Sequence, residues 1–225
     1  MNQLFLNAIA LVIFLMTSSI LLGPLVNLPF AWPASFTVGL LGLATLDTLG
    51  FQSRGTTLFL DWIAQNSPRY QQRILHHEAG HFLVAHLLGL PVKGYTLSAW
   101  EAWRQGHRGQ GGVRVDAPDF ENCAWMLQNL DRYCAVWMAG SVAESLVYDS
   151  IEGGRDDRQK LREIVTQLNF NVTFKERQAE RQARQLLQNN WKTYEALVAA
   201  MAKRASVADC SQLIDDHQLQ DHTCL

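Results

Sequence analysis

Charge is missing from the start of this chain. No lysine or arginine precedes Arg54, and Asp47 is the only acid before it. Two apolar runs fill the stretch. Leu4 to Leu22, "LFLNAIALVIFLMTSSILL", carries no charge and is about long enough to cross a bilayer as a helix. Gly23-Pro24 interrupts it, and "LVNLPFAWP" adds a second and third proline and a Trp32 of the interfacial type. Ala34 to Phe51, "ASFTVGLLGLATLDTLGF", is a second run that contains Asp47. The economical expectation is a transmembrane helical hairpin, about 4–22 and 34–51, forming a membrane anchor over 1–55. A cleaved signal peptide needs a basic start, and "MNQ" offers no basic side chain. A single span followed by a buried helix is the other reading of the second run.

Arg54, Arg69 and Arg73 follow the second run, and the loop between the runs has no basic residue. The positive-inside rule then puts the rest of the chain on the cytoplasmic face, or the stromal face in a plastid. Residues 56–65, "TTLFLDWIAQ", read either as a connector along the membrane surface or as a first soluble helix. A net charge of -2 gives no basic footprint for nucleic acid. Four scattered cysteines without a CxxC pair read as reduced thiols, Cys123 and Cys134 as small buried hydrophobes.

Residues 56–225 form the expected second domain, mainly α with a small β-sheet, an α+β class. Pro68 opens a helix that Gly89 and Pro91 stop. "LDRYCAVWMAGSVAESLVYD" is a second helix, and its Ala139, Gly140, Ser141 and Ala143 let a neighbour approach closely. "DDRQKLREIVTQL" repeats Leu161, Ile164, Val165 and Leu168 behind two acids, an acid-capped amphipathic helix. "TFKERQAERQARQLLQNNW" and "KTYEALVAAMAKRAS" read as surface helices, and "SVADCSQLI" opens with an S-x-x-D box. Only Val92 to Trp100 and Gly111 to Asp116 have strand composition, joined through a flexible "GHRGQ". No G-x-x-x-x-G-K-[ST] occurs, so these residues bring no P-loop.

"HEAGH", residues 77–81, fits H-E-x-x-H. Four residues of helix advance about 400°, so His77 and His81 project from one face, one turn apart, and can share a zinc ion. Glu78 is offset from them so that its carboxylate can serve as general base to a water. Two histidines and a glutamate in so apolar a helix are costly without such a purpose. His76 and His86 fall at other angles and read as structural or surface residues. A catalytic zinc takes three protein ligands. Asp156 and Asp157 follow a Gly-Gly turn at a helix start. Asp157 leads Leu161, Ile164 and Leu168 on the buried face, whereas Asp156 aligns with Lys160. Asp157 is therefore the better third ligand, with Asp156 as the alternative.

At these residues the chain resembles the peptidase domain of FtsH-type zinc metalloproteases. "HHEAGHFLVAHLLGLPVKGYTL" is similar to the family's HEAGH helix, Pro-Val turn and strand, and "GQGGVRV" to its second strand. "RYCAVWMAGSVAESLVYD" resembles its Gly-Arg-Ala-Ala-Glu-Glu-Leu helix, and "EGGRDDRQKL" the segment carrying the ligand aspartate. The resemblance covers about 69–168. It implies that Asp157 is the ligand, that Glu144 orients a ligand, and that Tyr95, Thr96, Leu97 and Ser98 form an edge that holds substrate by β-augmentation. It departs from the family at Ser141 and Ser145, where the family has Arg and Glu, and in having no AAA ATPase between the apolar runs and the motif. The likeness is to the stand-alone, membrane-anchored form of cyanobacteria and plastids.

The expected protein is an integral membrane zinc metalloendopeptidase whose catalytic domain faces the cytoplasm or stroma. The expected catalytic group is Glu78, and the expected metal ligands are His77, His81 and Asp157. Its expected partners are membrane lipid, unfolded or flexible protein and peptide substrates, a separate AAA ATPase or FtsH-type subunit, further copies of itself, and no nucleic acid. The alternatives are a non-proteolytic scaffold for ATPase-bearing relatives and an intramembrane site-2-type protease. The latter is disfavoured by Arg73 and His76 beside the motif.

Overall fold

The computed structural model describes residues 3–23, 29, 31–50, 68–98, 101, 104, 112–116 and 123–223. The two connectors at 56–65 and 106–110 lie outside them. The chain divides into two compact units, Met1–Ser67 and Pro68–Leu225.

The first unit holds α1, Gln3–Leu22, and α2, Ala31–Gly50, which touch one another. The second helix starts before the expected Ala34 because Pro33 sits in its first turn, where an absent N–H costs nothing. Thr17 donates its hydroxyl to the Ile13 carbonyl 2.5 Å away, as an isolated hydroxyl in an apolar helix does. Among the described residues no helix is long and apolar enough to cross a membrane.

The second unit contains α3, Pro68–Leu87; β1, Val92–Thr96; β2, Gly112–Val115; α4, Cys123–Tyr148; α5, Arg155–Gln167; α6, Val172–Asn189; α7, Trp191–Ala202; and α8, Val207–Thr223. It is mostly helical with one small sheet, an α+β arrangement. The sheet is antiparallel, with Tyr95 opposite Val113 and Thr96 opposite Gly112.

The central contact is α3 against α4. Gly80 makes it possible, since a Cβ there would stand 2.7 Å from the Ala143 Cβ and 2.9 Å from the Ala139 carbonyl oxygen. The main core gathers around this crossing, with Phe82 and Leu83 from α3, Tyr133 and Val142 from α4, Leu187 from α6, Leu197 and Met201 from α7 and Ile214 from α8. A smaller core joins α4, α5 and α6 through Met138, Leu161, Val165 and Ala179, with Cys134 buried among them. Burial pushes that thiol up to about 12, which fits an inert thiol.

Sequence and structure differ at α7. Its composition suggests a surface helix, yet Thr193, Tyr194, Leu197 and Met201 are buried. The Tyr194 hydroxyl donates to the His76 carbonyl at 3.0 Å and lies 2.9 Å from His76 Nδ1, so α7 docks on α3 by a polar anchor. The S-x-x-D box does cap α8: the Asp209 N–H donates to Ser206 Oγ at 3.1 Å and the Ser206 N–H to Asp209 Oδ2 at 3.2 Å.

Candidate metal centre

His77 and His81 stand one turn apart on the buried face of α3, their ring centroids 4.7 Å apart. Each has its Nδ1 engaged. His81 Nδ1 is 2.6 Å from the Val136 carbonyl oxygen, and His77 Nδ1 is 2.7 Å from Glu144 Oε1. Both partners are acceptors, so both Nδ1 atoms carry a proton and each Nε2 turns inward. There they meet Asp157 Oδ2, 3.4 Å from His81 and 3.9 Å from His77. One ligand atom from each of these three residues lies within 4.8 Å of the others, a group that could hold a metal ion.

The helix packed opposite makes room for the pair. A Cβ on Gly140 would collide with His77 Nε2 and stand 2.5 Å from His81 Nε2. Only hydrogen fits at that point of α4.

Glu144, one turn further along α4 and 1% exposed, fixes the rest. It accepts from Arg73 at 2.9 Å and from the backbone N–H groups of Glu152 and Gly153 at 2.9 and 3.1 Å, besides its contact with His77. Arg73, itself buried, also donates to the Ser150 carbonyl at 3.0 Å. One carboxylate thus clamps the α4–α5 turn against α3. Gly154 begins α5 at φ 77, the left-handed region that favours glycine, and no side chain caps the helix. Asp157 leaves from the first turn of that helix and so reaches the two imidazoles. Lys160 holds its other oxygen at 3.3 Å.

Glu78 lies beside this group. It is buried and accepts the Val113 N–H at 2.8 Å, next to Gly112, whose φ of 139 is a backbone conformation that favours glycine. Burial raises its carboxyl above the usual range, against the pull of His81 and His77. Burial alone would lower His77, but hydrogen bonds with Asp157 and Glu144 outweigh it and raise the imidazole to about 10. Burial would likewise raise Asp157 and Glu144, yet the histidine contacts hold both carboxyls below their ordinary range. Three carboxylates around two imidazoles therefore make a place that favours positive charge.

The donor set suits zinc. Ligand atoms around a tetrahedral zinc at about 2.0–2.2 Å lie about 3.3–3.5 Å apart, close to the 3.4 and 3.9 Å found here. Two imidazole nitrogens and one carboxylate leave a fourth position for water.

Asp156, the alternative ligand, is exposed and outside the group, whereas Asp157 is inside it. His76 is bound to Tyr194, and His86 lies 2.7 Å from Asp215. Tyr95, Thr96, Leu97 and Ser98 make no hydrogen bond or ion pair with His77, Glu78, His81 or Asp157 among the described residues. The Tyr95 hydroxyl donates to the Ala205 carbonyl at 2.6 Å, and the Leu97 N–H donates to Glu101 at 2.8 Å. The strand that touches Glu78 is β2. Arg73, Val136, Gly140 and Gly153 were not singled out by sequence as parts of the site. Gly140 sits in a visible run of small residues, and only helix phase relative to His77 would have given it a role.

No family model matches the chain. The chain is 30% identical over 113 residues to a protein of Sphaerobacter thermophilus named ATP-dependent zinc metalloprotease FtsH 2. The alignment takes in 47% of this chain and 16% of that protein. The chain thus spans under a fifth of the length of the relative it matches.

Proposed function

We propose that this chain is a zinc-dependent endopeptidase, held at a membrane by its N-terminal apolar helices and acting on unfolded or flexible protein segments. The observation that carries it is the convergence of His77, His81 and Asp157 within 4.8 Å, with the buried Glu78 beside them. The partial likeness to a protein named a zinc metalloprotease supports the same reading.

In this reading His77 Nε2, His81 Nε2 and an Asp157 oxygen hold the ion. A zinc ion so held would lower the pKa of water towards neutrality and polarise a peptide carbonyl. Glu78 takes the proton from the attacking water and passes it to the departing amine. Its raised carboxyl suits that exchange, because a base with a pKa nearer to the working pH also returns its proton readily. The Val113 N–H fixes one Glu78 oxygen and leaves the other for the water. Val136 and Glu144 keep the histidine Nδ1 atoms protonated, so the Nε2 lone pairs stay available.

Zinc content and casein cleavage, measured on the full chain in detergent, test the proposal. Wild type is expected to hold zinc and cleave; Glu78→Gln is expected to hold zinc and lose cleavage by at least about a hundredfold. Absence of zinc, or cleavage indifferent to Glu78, would sink it. A scaffold that assists ATPase-bearing relatives is the second reading, favoured by the lack of a P-loop in these 225 residues. Full function in cells from Glu78→Gln would select it.

A further inference from the structure

On α4 and α5 the residues that flank the metal centre come in pairs. Gly140 lies against the histidines, and its neighbour Ser141 faces elsewhere. Asp157 points to the histidines, and Arg158 faces the same way as Ser141. Both second members line a cleft of about 290 Å³ between α4, α5 and α6.

The cleft is basic. Arg177, Arg181 and Arg184 enter it from α6 at spacings of four and three, one helical face, and join Arg158 there. Among the described residues that line it, Glu180 is the only acid, and it is taken by Arg158 at 2.8 Å. Arg184 donates to Ser145 Oγ at 2.9 Å and has no carboxylate partner among the described residues. Arg177 and Arg181 have no ion-pair or hydrogen-bond partner among the described residues. A solvated arginine stripe would look similar on α6 alone. The floor differs. Ser141 is 2% exposed, its hydroxyl packs against the backbone of Gly154 at the start of α5, and it lines this cleft.

We propose that the cleft between α4, α5 and α6 binds a phosphoryl group, through the Arg177, Arg181 and Arg184 guanidinium groups and the Ser141 hydroxyl. A carboxylate is matched by one guanidinium, bidentately. Three guanidinium groups without counter-charge, with the Ser141 side chain lining the same cleft, match a dianion with several oxygens. The volume lies at the lower end of small-molecule sites, which fits a compact phosphorylated group and not a nucleic-acid strand. The group could come from a soluble phosphorylated compound or from a phospholipid headgroup.

Isothermal titration calorimetry on the full chain in detergent tests the proposal, with inorganic pyrophosphate and dihexanoyl phosphatidic acid as probes and citrate as the carboxylate control. Saturable binding of a phosphoryl probe is expected, weakened about tenfold or more by Arg181→Gln and by Arg177→Gln. Both side chains are exposed, so both variants keep the fold, which circular dichroism checks. Glu78→Gln is expected to bind as wild type. Tighter binding of pyrophosphate identifies a soluble source; tighter binding of the short-chain lipid identifies a headgroup. No saturable binding of either, equal binding of citrate, or binding indifferent to both arginines would overturn the proposal.

Discussion

Glu144 on α4 satisfies four donors, two on α3 and two in the α4–α5 turn, so its removal unpairs both segments at once. Glu144→Gln breaks the buried ion pair and leaves Arg73 with only the exposed Glu152 carboxylate, 3.4 Å away, which we expect to cost about 3 kcal/mol in urea unfolding. Gly140→Ala tests steric support instead. Its methyl would sit on the two Nε2 atoms, so zinc affinity is expected to fall at least about tenfold by competition with a chromophoric chelator. The closeness of His77 and His81 was legible because H-E-x-x-H encodes an angle, and the place of Asp157 because its phase with Leu161 encodes burial. Arg73 was not legible. An arginine near a helix start reads as solvated, and only the three-dimensional position of Glu144 explains why it is buried.

Helices were legible wherever an apolar stripe repeated, as in α3, α4 and α5, whereas α6 reads as a surface helix and yet buries Ala179, Ala183 and Leu187. The burial of α7 was not, because a twelve-residue helix with lysine and glutamate at its start looks like a surface element. Tyr194 decides its place by hydrogen-bonding to α3, a partner more than a hundred residues away that no local pattern reveals. Tyr194→Phe should lower stability by about 1–2 kcal/mol, read from the shift of the urea midpoint at unchanged slope. The seat of α5 depends on apolar packing. Leu161 is wholly buried between α4 and α6, and Leu161→Ala is expected to cost about 2–4 kcal/mol by the same measurement. The small sheet was found from composition, but which strand meets Glu78 followed from the pairing register and not from either strand alone.

Every ligand candidate and every group that orients it belongs to the unit Pro68–Leu225. A chain beginning at Pro68 should therefore fold cooperatively and bind zinc as the full chain does, checked by thermal unfolding with and without added zinc. Loss of folding in that fragment would mean that the first unit contributes to the core. The charge pattern separates 1–55 from 56–225, whereas the two compact units meet between Ser67 and Pro68. The wide spacing of the three candidate ligands along the chain would have a mechanical consequence once an ion is bound. An ion bound by His81 and Asp157 acts as a cross-link that closes a loop of about 75 residues. Such a staple removes freedom from the unfolded chain, and it ties α5 to α3 across the end of α4. Chelation should then loosen the α4–α5 turn before the main core melts, so that hydrogen exchange at 150–157 quickens first and tracks metal loss.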